Sequence, residues 1–203
     1  MSSWVELGVA FTTGIIGPLS LVYFKSVLNK NKNKPDVVIN ALRVSEVVEH
    51  KIDIIKEGLN ADRVWITQFH NGSNFYPTGK SITKFSIVYE SLNVGVISIQ
   101  NNFKNIPVYL FSKSMNQLAD SDTIEIMDYD DKNIPTYGLN SFSEEYGCKS
   151  SYLFSIKSID GKFIGVLGVD YTKNKTQLDD DVINNVMIHV ASIGGVLTNY
   201  LEH

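Results

Sequence analysis

The chain has one cysteine, Cys148, among its 203 residues. A single cysteine excludes an intrachain disulfide framework, a zinc site built on paired cysteines and a redox couple that needs two thiols. An excess of positive charge is also absent: the net charge is −4, so the chain has no overall basic footprint for nucleic acid. Since 43% of the residues are hydrophobic, the chain can still bury the core of one domain and carry an appendage.

Metal-binding patterns are missing as well. The acidic run 128–131 lacks the glycine and the distal glutamate of a calcium loop, which indicates a solvated surface. The histidines show no i, i+4 pair and no carboxylate at ligand spacing: His50, His70, His189 and His203. A glycine-rich phosphate loop is not found either. We therefore expect neither a metal nor another cofactor.

The longest uncharged stretch lies near the N-terminus, where residues 7–24 are LGVAFTTGIIGPLSLVYF. This length is about the minimum for a helix that spans a bilayer. Lysines follow the stretch rather than precede it, which places the following residues in the cytoplasm. A signal peptide, which would have its basic residues first, and a buried core helix are the alternatives. We predict a single-pass anchor at residues 1–28 that contacts the membrane through residues 4–28.

Residues 29–35, NKNKNKP, are predicted to be a basic linker, because they are polar, aperiodic and end in proline. From Asp36 onward the chain has 14 basic and 21 acidic residues, a net charge of −7. This acidic part, residues 36–203, is predicted to be one cytoplasmic domain that does not bind nucleic acid.

Helices are predicted at both ends of this domain. Asp36 can cap the first helix, in which apolar residues recur every three or four positions. Residues 176–179 can cap the last helix, which continues to about residue 201. A second apolar set on the first helix fits either core packing or a dimer seam: Val38, Leu42, Val47 and Ile54. The dimer, if formed, would be a homodimer through helices 36–58 and 178–201.

Segments rich in β-branched and aromatic residues predict strands between these helices. They are residues 63–69, 85–92, 94–99, 123–127, 151–158 and 163–171. The first strand is predicted to end at a turn, residues 70–73, and Asp160-Gly161 gives the clearest hairpin signal. Short helices are expected at 114–119 and, from a capping box, at 141–144.

The predicted fold is therefore α+β, an antiparallel sheet with the terminal helices packed on one face. Several strands are apolar at both alternating positions, so the second face must also be covered. The loops and short helices between residues 101 and 147 are the available cover. They would half enclose a cavity of the kind in which small ligands commonly bind.

Two stretches resemble a GAF domain. The first helix continues into GLNADRVWITQFHNG, and residues 146–197 are YGCKSSYLFSIKSIDGKFIGVLGVDYTKNKTQLDDDVINNVMIHVASIGGVL. The second stretch combines a short helix, a strand, an Asp-Gly hairpin, an IGVLGVD strand and an acidic-capped last helix. The resemblance covers residues 36–203 and implies a small-molecule or cyclic-nucleotide sensor, often dimeric through its terminal helices. The related PAS architecture is the alternative.

Missing residues restrict the chemistry that this resemblance implies. The Asn-Lys…Phe…Asp-Glu signature of cyclic-nucleotide-binding members has no convincing copy here. Bilin-attaching members typically have histidine after their cysteine, whereas Lys149 follows Cys148. The free-methionine-sulfoxide reductases of this fold use more than one cysteine. We therefore expect a domain without catalytic activity, in which Cys148 is a small half-buried apolar residue.

Candidate ligand contacts come from two sets of residues. Residues 68–72 would lie at the cavity rim, where an imidazole and a carboxamide can orient a polar ligand, unless Asn71 only stabilises a turn. Several rings and one carboxylate would line the cavity, or be plain core. The predicted ligand-binding residues are Phe69, His70, Asn71, Phe85, Tyr89, Glu90, Tyr137, Phe142 and Tyr152.

The sequence thus predicts a membrane-tethered sensor or regulatory module that binds a small molecule or a partner and does not catalyse a reaction. The alternative is a membrane accessory or structural protein of a virus or mobile element, with a GAF fold and no bound ligand. The sequence does not identify the ligand.

Overall fold

A computed structural model describes residue 25 and residues 37–74 and 78–201. The described residues from Ala41 onward belong to one compact unit. The predicted membrane span and the basic linker lie, apart from Lys25, outside the described residues.

The described residues between Val37 and Leu201 form four α-helices, six β-strands and a short 3₁₀ helix at Val108–Phe111. The helices are α1 (Val37–Gly58), α2 (Ser112–Ser121), α3 (Asn140–Glu144) and α4 (Asp180–Leu201). The strands are β1 (Arg63–Asn74), β2 (Ser81–Leu92), β3 (Ile106–Pro107), β4 (Thr123–Ile126), β5 (Ser150–Lys157) and β6 (Phe163–Tyr171).

The strands form one sheet in the order β3-β2-β1-β6-β5-β4, and every neighbouring pair is antiparallel. The two central strands, β1 and β6, are far apart in sequence and pair from Arg63 opposite Asp170 to Gln68 opposite Gly165. This mixed architecture confirms the predicted α+β fold class.

One face of the sheet packs against α1 and α4. The side chains from α1 are Val48, Ile52 and Ile55, which meet Ile66 and Leu167 of the central strands. α4 is long and apolar enough over Asp180–Asn199 to cross a membrane, by length and composition alone. Its apolar side chains are buried in the same cluster, which is typical of a core helix: Ile183, Val186, Val190, Ile193 and Leu197.

The opposite face carries a second apolar cluster. It joins the sheet to α2, α3 and the loop of residues 93–105, named here the covering loop, through Leu118, Phe142, Ile99 and Phe103. Alternation along β6 explains how one strand serves both clusters, since Val166 faces this side and Leu167 faces the helices. Both faces are therefore covered, as the apolar strands predict.

Two sequence predictions about the strands are wrong. β1 does not end in a turn at 70–73 but continues to Asn74, paired with β2 through an irregularity between Asn71 and Asn74. Gly72 allows this continuation, because a Cβ there would meet the carbonyl oxygen of Ile82 at 2.7 Å. Residues 94–99 form no strand, and Gly95 has a φ of 87°. That segment follows a looped path because distant side chains, described below, hold it.

The short helix α3 begins one residue earlier than predicted and is not opened by a capping box. Its N-cap is Leu139, without a side-chain hydrogen bond. The Asp160-Gly161 hairpin is confirmed: Gly161 has a φ of 80°, and Ser158 donates its backbone N–H to the Lys162 carbonyl at 2.8 Å. Asp179 caps α4 by accepting the Val182 N–H at 2.9 Å.

Candidate functional site

A small apolar cavity lies on the sheet face away from α1 and α4. Its volume is about 20 Å³, and no polar surface is exposed inside it. β1, β2, β5 and β6 form its floor, and α2, α3 and the covering loop form its other walls. The lining side chains are Trp65, Thr67, Phe85, Ile87, Phe103, Phe111, Ser114, Met115, Leu118, Leu139, Phe142, Leu153 and Val166.

The two hydroxyl groups of the lining are already bonded to the backbone. Thr67 Oγ1 accepts the Val166 N–H at 3.0 Å and donates to the Val166 carbonyl at 3.5 Å. Ser114 Oγ lies 3.3 Å from the Phe111 carbonyl and 3.2 Å from the Tyr137 carbonyl. Because a hydroxyl has one proton to donate, these contacts leave no donor directed into the cavity.

Aromatic rings in contact with one another stiffen the walls. Trp65 stacks on Phe142 with ring centroids 5.8 Å apart, and Phe103 lies 5.4 Å from Phe142. On the far side, Phe85 meets Phe111 edge to face at 5.5 Å. Such pairs add roughly 0.5–1.5 kcal/mol each beyond the area that they bury. The cavity is therefore framed by aromatic side chains that pack against one another.

The covering loop is held in place by hydrogen bonds to the neighbouring strands β1 and β2. Glu90 on β2 accepts the Ile99 N–H at 2.9 Å and also the Ser98 hydroxyl. Arg63 on β1 donates to the Ile97 carbonyl at 2.7 Å. Further along the loop, the Phe103 carbonyl oxygen accepts the Ile87 N–H at 2.8 Å. The loop thus adds the Phe103 ring to the cavity wall, and its bonds to β1 and β2 fix its position.

A buried ion pair lies behind the cavity wall, where β1 meets β6. Arg63 Nε donates to Asp170 Oδ2 at 2.8 Å, and both side chains are inaccessible to solvent. Asp170 also accepts the Trp65 indole N–H at 2.8 Å and the Ser151 hydroxyl at 2.7 Å. Burial opposes the charge on the guanidinium, but the Asp170 carboxylate outweighs it, so the pKa of Arg63 is raised.

Cys148 belongs to this ion-pair cluster and not to the cavity lining. Its Sγ accepts a hydrogen bond from Arg63 Nη2 at 2.9 Å, and the residue is 2% exposed. Burial, reinforced by the nearby Asp170 carboxylate, raises the pKa of the Cys148 thiol far above its ordinary value. The thiol is therefore neutral at physiological pH and is poorly suited to be a nucleophile.

Five of the predicted ligand-binding residues lie on or beside the cavity. Phe85 and Phe142 line it. Phe69 and Tyr137 pack against the surrounding apolar cluster, and Phe69 meets Phe163 edge to face at 4.8 Å. Glu90 stands directly opposite Trp65 in the β1–β2 register, and it holds the covering loop. Ligand binding by these residues stays a prediction.

The other four predicted residues lie elsewhere. Tyr89 and Tyr152 are on the helix-covered face; Tyr89 lies 3.3 Å from the Ser45 hydroxyl, and Tyr152 accepts the Leu178 N–H at 3.0 Å. His70 and Asn71 are on β1 beyond its pairing with β6, and His70 Nε2 lies 2.9 Å from Ser86 Oγ. The structure therefore does not bring all nine residues into one site.

The two charged residues behind the cavity, Arg63 and Asp170, are not among the residues predicted from the sequence. Arg63 is the first residue of one predicted strand. Asp170 is an acidic residue inside another predicted strand that is otherwise apolar. A buried carboxylate needs a partner, so an aspartate in the run FIGVLGVDY was a signal for a buried cation. In the part of the chain that the structure describes, no group of three or more metal-ligating side chains is found.

An antiparallel sheet covered on one face by the terminal helices and on the other by short helices and loops defines a GAF-like fold. Solved structures support this assignment. One is the PixJ GAF domain of Thermosynechococcus elongatus in its blue-light absorbing form. It is 16% identical to this chain with a TM-score of 0.61, and the alignment covers 80% of this chain and 90% of that one. A far-red cyanobacteriochrome photoreceptor matches at 15% identity and a TM-score of 0.61, over 91% of this chain and all of that one.

A GAF domain of Synechocystis sp. PCC6803, in its photoproduct state, is similar at 14% identity with a TM-score of 0.59, covering 77% of this chain and 94% of that one. At such low identity these similarities establish the fold alone. No protein-family model matches the sequence, and no curated protein matches it either.

Proposed function

We propose that residues 36–203 are a GAF-like sensor module that binds a small molecule in the apolar cavity. The observation that carries this proposal is the cavity itself, which is framed by packed aromatic rings and bordered by an anchored loop. A solved structure of the same fold, at 13% identity, is a far-red absorbing dark state with bound biliverdin. That similarity supports small-molecule binding without indicating the same ligand.

We also propose that the module is not an enzyme. The cavity presents no acid, base or nucleophile among its lining side chains, since the hydroxyls of Thr67 and Ser114 are bonded to the backbone. The thiol of Cys148 is buried outside the lining with a raised pKa. A binding event must therefore be transmitted by a change in shape or association, since the site offers no group to carry a reaction.

The N-terminal residues would tether this module to the membrane, with the domain in the cytoplasm. The support for this part is the uncharged stretch at residues 7–24 followed by lysines. The test is fractionation of cells that express the full chain or a chain lacking residues 1–28. The full chain should sediment with membranes and resist extraction by alkaline carbonate, whereas the shortened chain should stay in the supernatant. Equal distribution of the two would contradict tethering.

A homodimer through the two terminal helices completes the proposal. Val47 and Ile54 of α1 are each 43% exposed and stand two turns apart on one side of the helix, while Ile188 of α4 is 70% exposed. Apolar residues repeating every seven positions are typical of a helix seam. We propose that a second copy of this chain covers this surface, and a partner protein is the alternative.

Ligand binding is tested with the full chain in lipid nanodiscs, by thermal unfolding in the presence of a metabolite and nucleotide panel. A ligand at a hundred times its dissociation constant should stabilise the fold by about 2.7 kcal/mol. Methyl NMR then locates the ligand, which should shift Leu118, Leu139 and Leu153 of the cavity. The His70→Ala, Asn71→Ala double variant tests the predicted rim. If a ligand no longer stabilises this variant, the end of β1 also belongs to the binding site.

A structural role without a ligand is the second candidate function. The observation that favours it is the small volume of the cavity, about 20 Å³, which leaves little room for a ligand. If no compound of any class raises the unfolding temperature or shifts the cavity methyls, the sensor proposal is overturned in favour of this role.

A further inference from the structure

The chemistry of the cavity wall restricts what can occupy the cavity. Apart from Trp65, the lining residues with a nitrogen or oxygen atom in the side chain are Thr67 and Ser114. The hydroxyl groups of both are hydrogen-bonded to backbone groups. A phosphate, carboxylate or ammonium group placed there would lose its hydration and find no partner. Burying a ligand hydroxyl there would also cost free energy, though less than burying a charge, because a buried polar group needs a hydrogen bond.

Trp65 separates the cavity from the nearest charges. Its indole N–H donates to Asp170, so the polar atom of the ring points away from the cavity, while the ring itself lines the cavity wall. Gly168 makes this position available, since a Cβ at that residue would overlap the indole. The Arg63–Asp170 ion pair is thereby shielded from a ligand by an aromatic plane.

The volume of the cavity sets the size limit. A space of about 20 Å³ slightly exceeds the roughly 10–15 Å³ that one water molecule needs. Water itself is a poor occupant, because an ordered buried water requires two to four polar partners. Empty apolar cavities of this kind are filled instead by apolar atoms and molecules, which gain dispersion contacts with the wall.

We infer that the cavity selects a small, uncharged, apolar molecule of a few heavy atoms. This inference rests on the proposed sensor function and narrows its ligand to one chemical class. Larger ligands are excluded as long as the covering loop stays anchored to Glu90 and Arg63, because Phe103 of that loop forms part of the wall. Charged ligands are excluded because the wall exposes no polar group that could bind them.

The test uses methyl NMR of the full chain in nanodiscs. The probes are ethane and methanol, which have nearly the same shape, and xenon. Ethane and xenon should produce saturable shifts at the cavity methyls of Leu118, Leu139 and Leu153. Methanol, which replaces one methyl group with a hydroxyl, should bind about tenfold more weakly or not at all. Equal or tighter binding of methanol would overturn the apolar class.

Matched variants on β6 assign the shifts to the cavity. Val166→Ile adds one methylene group to the cavity wall and should abolish the ethane and xenon shifts. Val169→Ile makes the same change on the helix-covered face and should leave them intact. Leu118→Ala enlarges the cavity and should tighten xenon binding, which keeps the test decisive if Val166→Ile fails to fold. Shifts that survive Val166→Ile and do not respond to Leu118→Ala would overturn the inference.

The outcomes also separate this inference from the proposed function. A polar or charged metabolite that binds the full chain and shifts the cavity methyls, with no response to ethane or xenon, would overturn the apolar class and leave the sensor proposal standing. An absence of shifts with every compound, including xenon, would overturn both.

Discussion

Arg63 connects four parts of the fold through one side chain. Its guanidinium binds Asp170 of β6, the Ile97 carbonyl of the covering loop and the Cys148 thiol, and it lies 6.0 Å from the centre of the Tyr146 ring. A buried charge is tolerated only when its partner and its remaining donors are all satisfied. The residue therefore positions the loop and stabilises the junction before β5 at the same time.

Replacing Asp170 with asparagine should strongly destabilise the fold. The substitution leaves the Arg63 charge buried without a counter-charge, which costs about 3–5 kcal/mol of the free energy of unfolding. Urea denaturation followed by circular dichroism measures the change. Asp160→Asn, at the exposed hairpin, is the control and should leave the midpoint unchanged. A loss of under about 1 kcal/mol for Asp170→Asn would show that the ion pair is dispensable.

Asp62, just before β1, binds the end of β6. It accepts the N–H groups of Thr172 at 2.8 Å and Lys173 at 3.0 Å, and the Lys173 ammonium lies 3.1 Å away. Burial disfavours the carboxylate, but these contacts outweigh burial, so the pKa of Asp62 lies below its ordinary value of 3.8. The folded state thus binds a proton at Asp62 less readily than the unfolded state does.

A pH series of Asp62→Asn should show this linkage. At neutral pH the variant should be less stable by about 2 kcal/mol, since it loses hydrogen bonds to a charged group. The carboxylate contributes fully above its unfolded pKa of about 3.9, and its contribution disappears as the pH falls through the lower folded-state value. The two unfolding midpoints should therefore converge below pH 4. A constant difference from pH 7 down to pH 3 would contradict this assignment.

At the scale of elements, the packing of α4 on β5 depends on one of two adjacent glycines. A Cβ on Gly194 would overlap the carbonyl oxygen of Lys157, whereas a Cβ on Gly195 would meet nothing within 4 Å. Gly194 is therefore required for the close approach of helix and strand. Gly195 has no such role and only lowers helix propensity.

The alanine variants at these two positions should change stability in opposite directions. Gly194→Ala should cost about 1–3 kcal/mol, because the helix must move away from the backbone of β5. Gly195→Ala should stabilise the fold by about 0.5–1 kcal/mol through helix propensity. Urea midpoints of the two variants compare them directly. Stabilisation by both substitutions would mean that α4 can shift without loss of packing.

The elements that were predictable from sequence are those determined by local chemistry. The Asp160-Gly161 hairpin and the limits of β6 follow from turn residues and β-branched residues that lie next to one another in the chain. The path of residues 94–99 could not be predicted in the same way. It is imposed by Glu90 and Arg63, and no local pattern shows that these side chains reach the loop.

Part of the candidate site was predictable for a similar reason. Phe85 alternates with Ile87 and was correctly expected on the cavity side. Simple alternation would place Tyr89 there too, but a bulge in the β1–β2 register between Ile66 and Thr67 shifts the pattern. Tyr89 consequently faces α1, and Glu90 takes the position opposite Trp65. A one-residue bulge exchanges the faces of every residue after it, and the sequence carries no sign of it.

At the scale of the whole molecule, the exposed apolar residues of α1 should control association. In the double variant Val47→Glu, Ile54→Glu, two carboxylates replace apolar contacts, so a dimer should dissociate with a constant about a hundredfold higher. Sedimentation velocity of the full chain in nanodiscs measures the change. The control is Val94→Glu, because Val94 is fully exposed in the covering loop. Association that is insensitive to the double variant would exclude α1 from the interface.

The central position of β1 also affects how the chain is made. β1 can pair with β2 soon after both leave the ribosome, but its other edge waits for β6, which ends at Tyr171. At about 5–20 residues per second, that interval is on the order of ten seconds. Throughout it, the backbone of Arg63–Gln68 presents an unpaired edge beside apolar side chains. Until β6 is made, this unpaired edge can therefore pair with the same edge of another newly made chain.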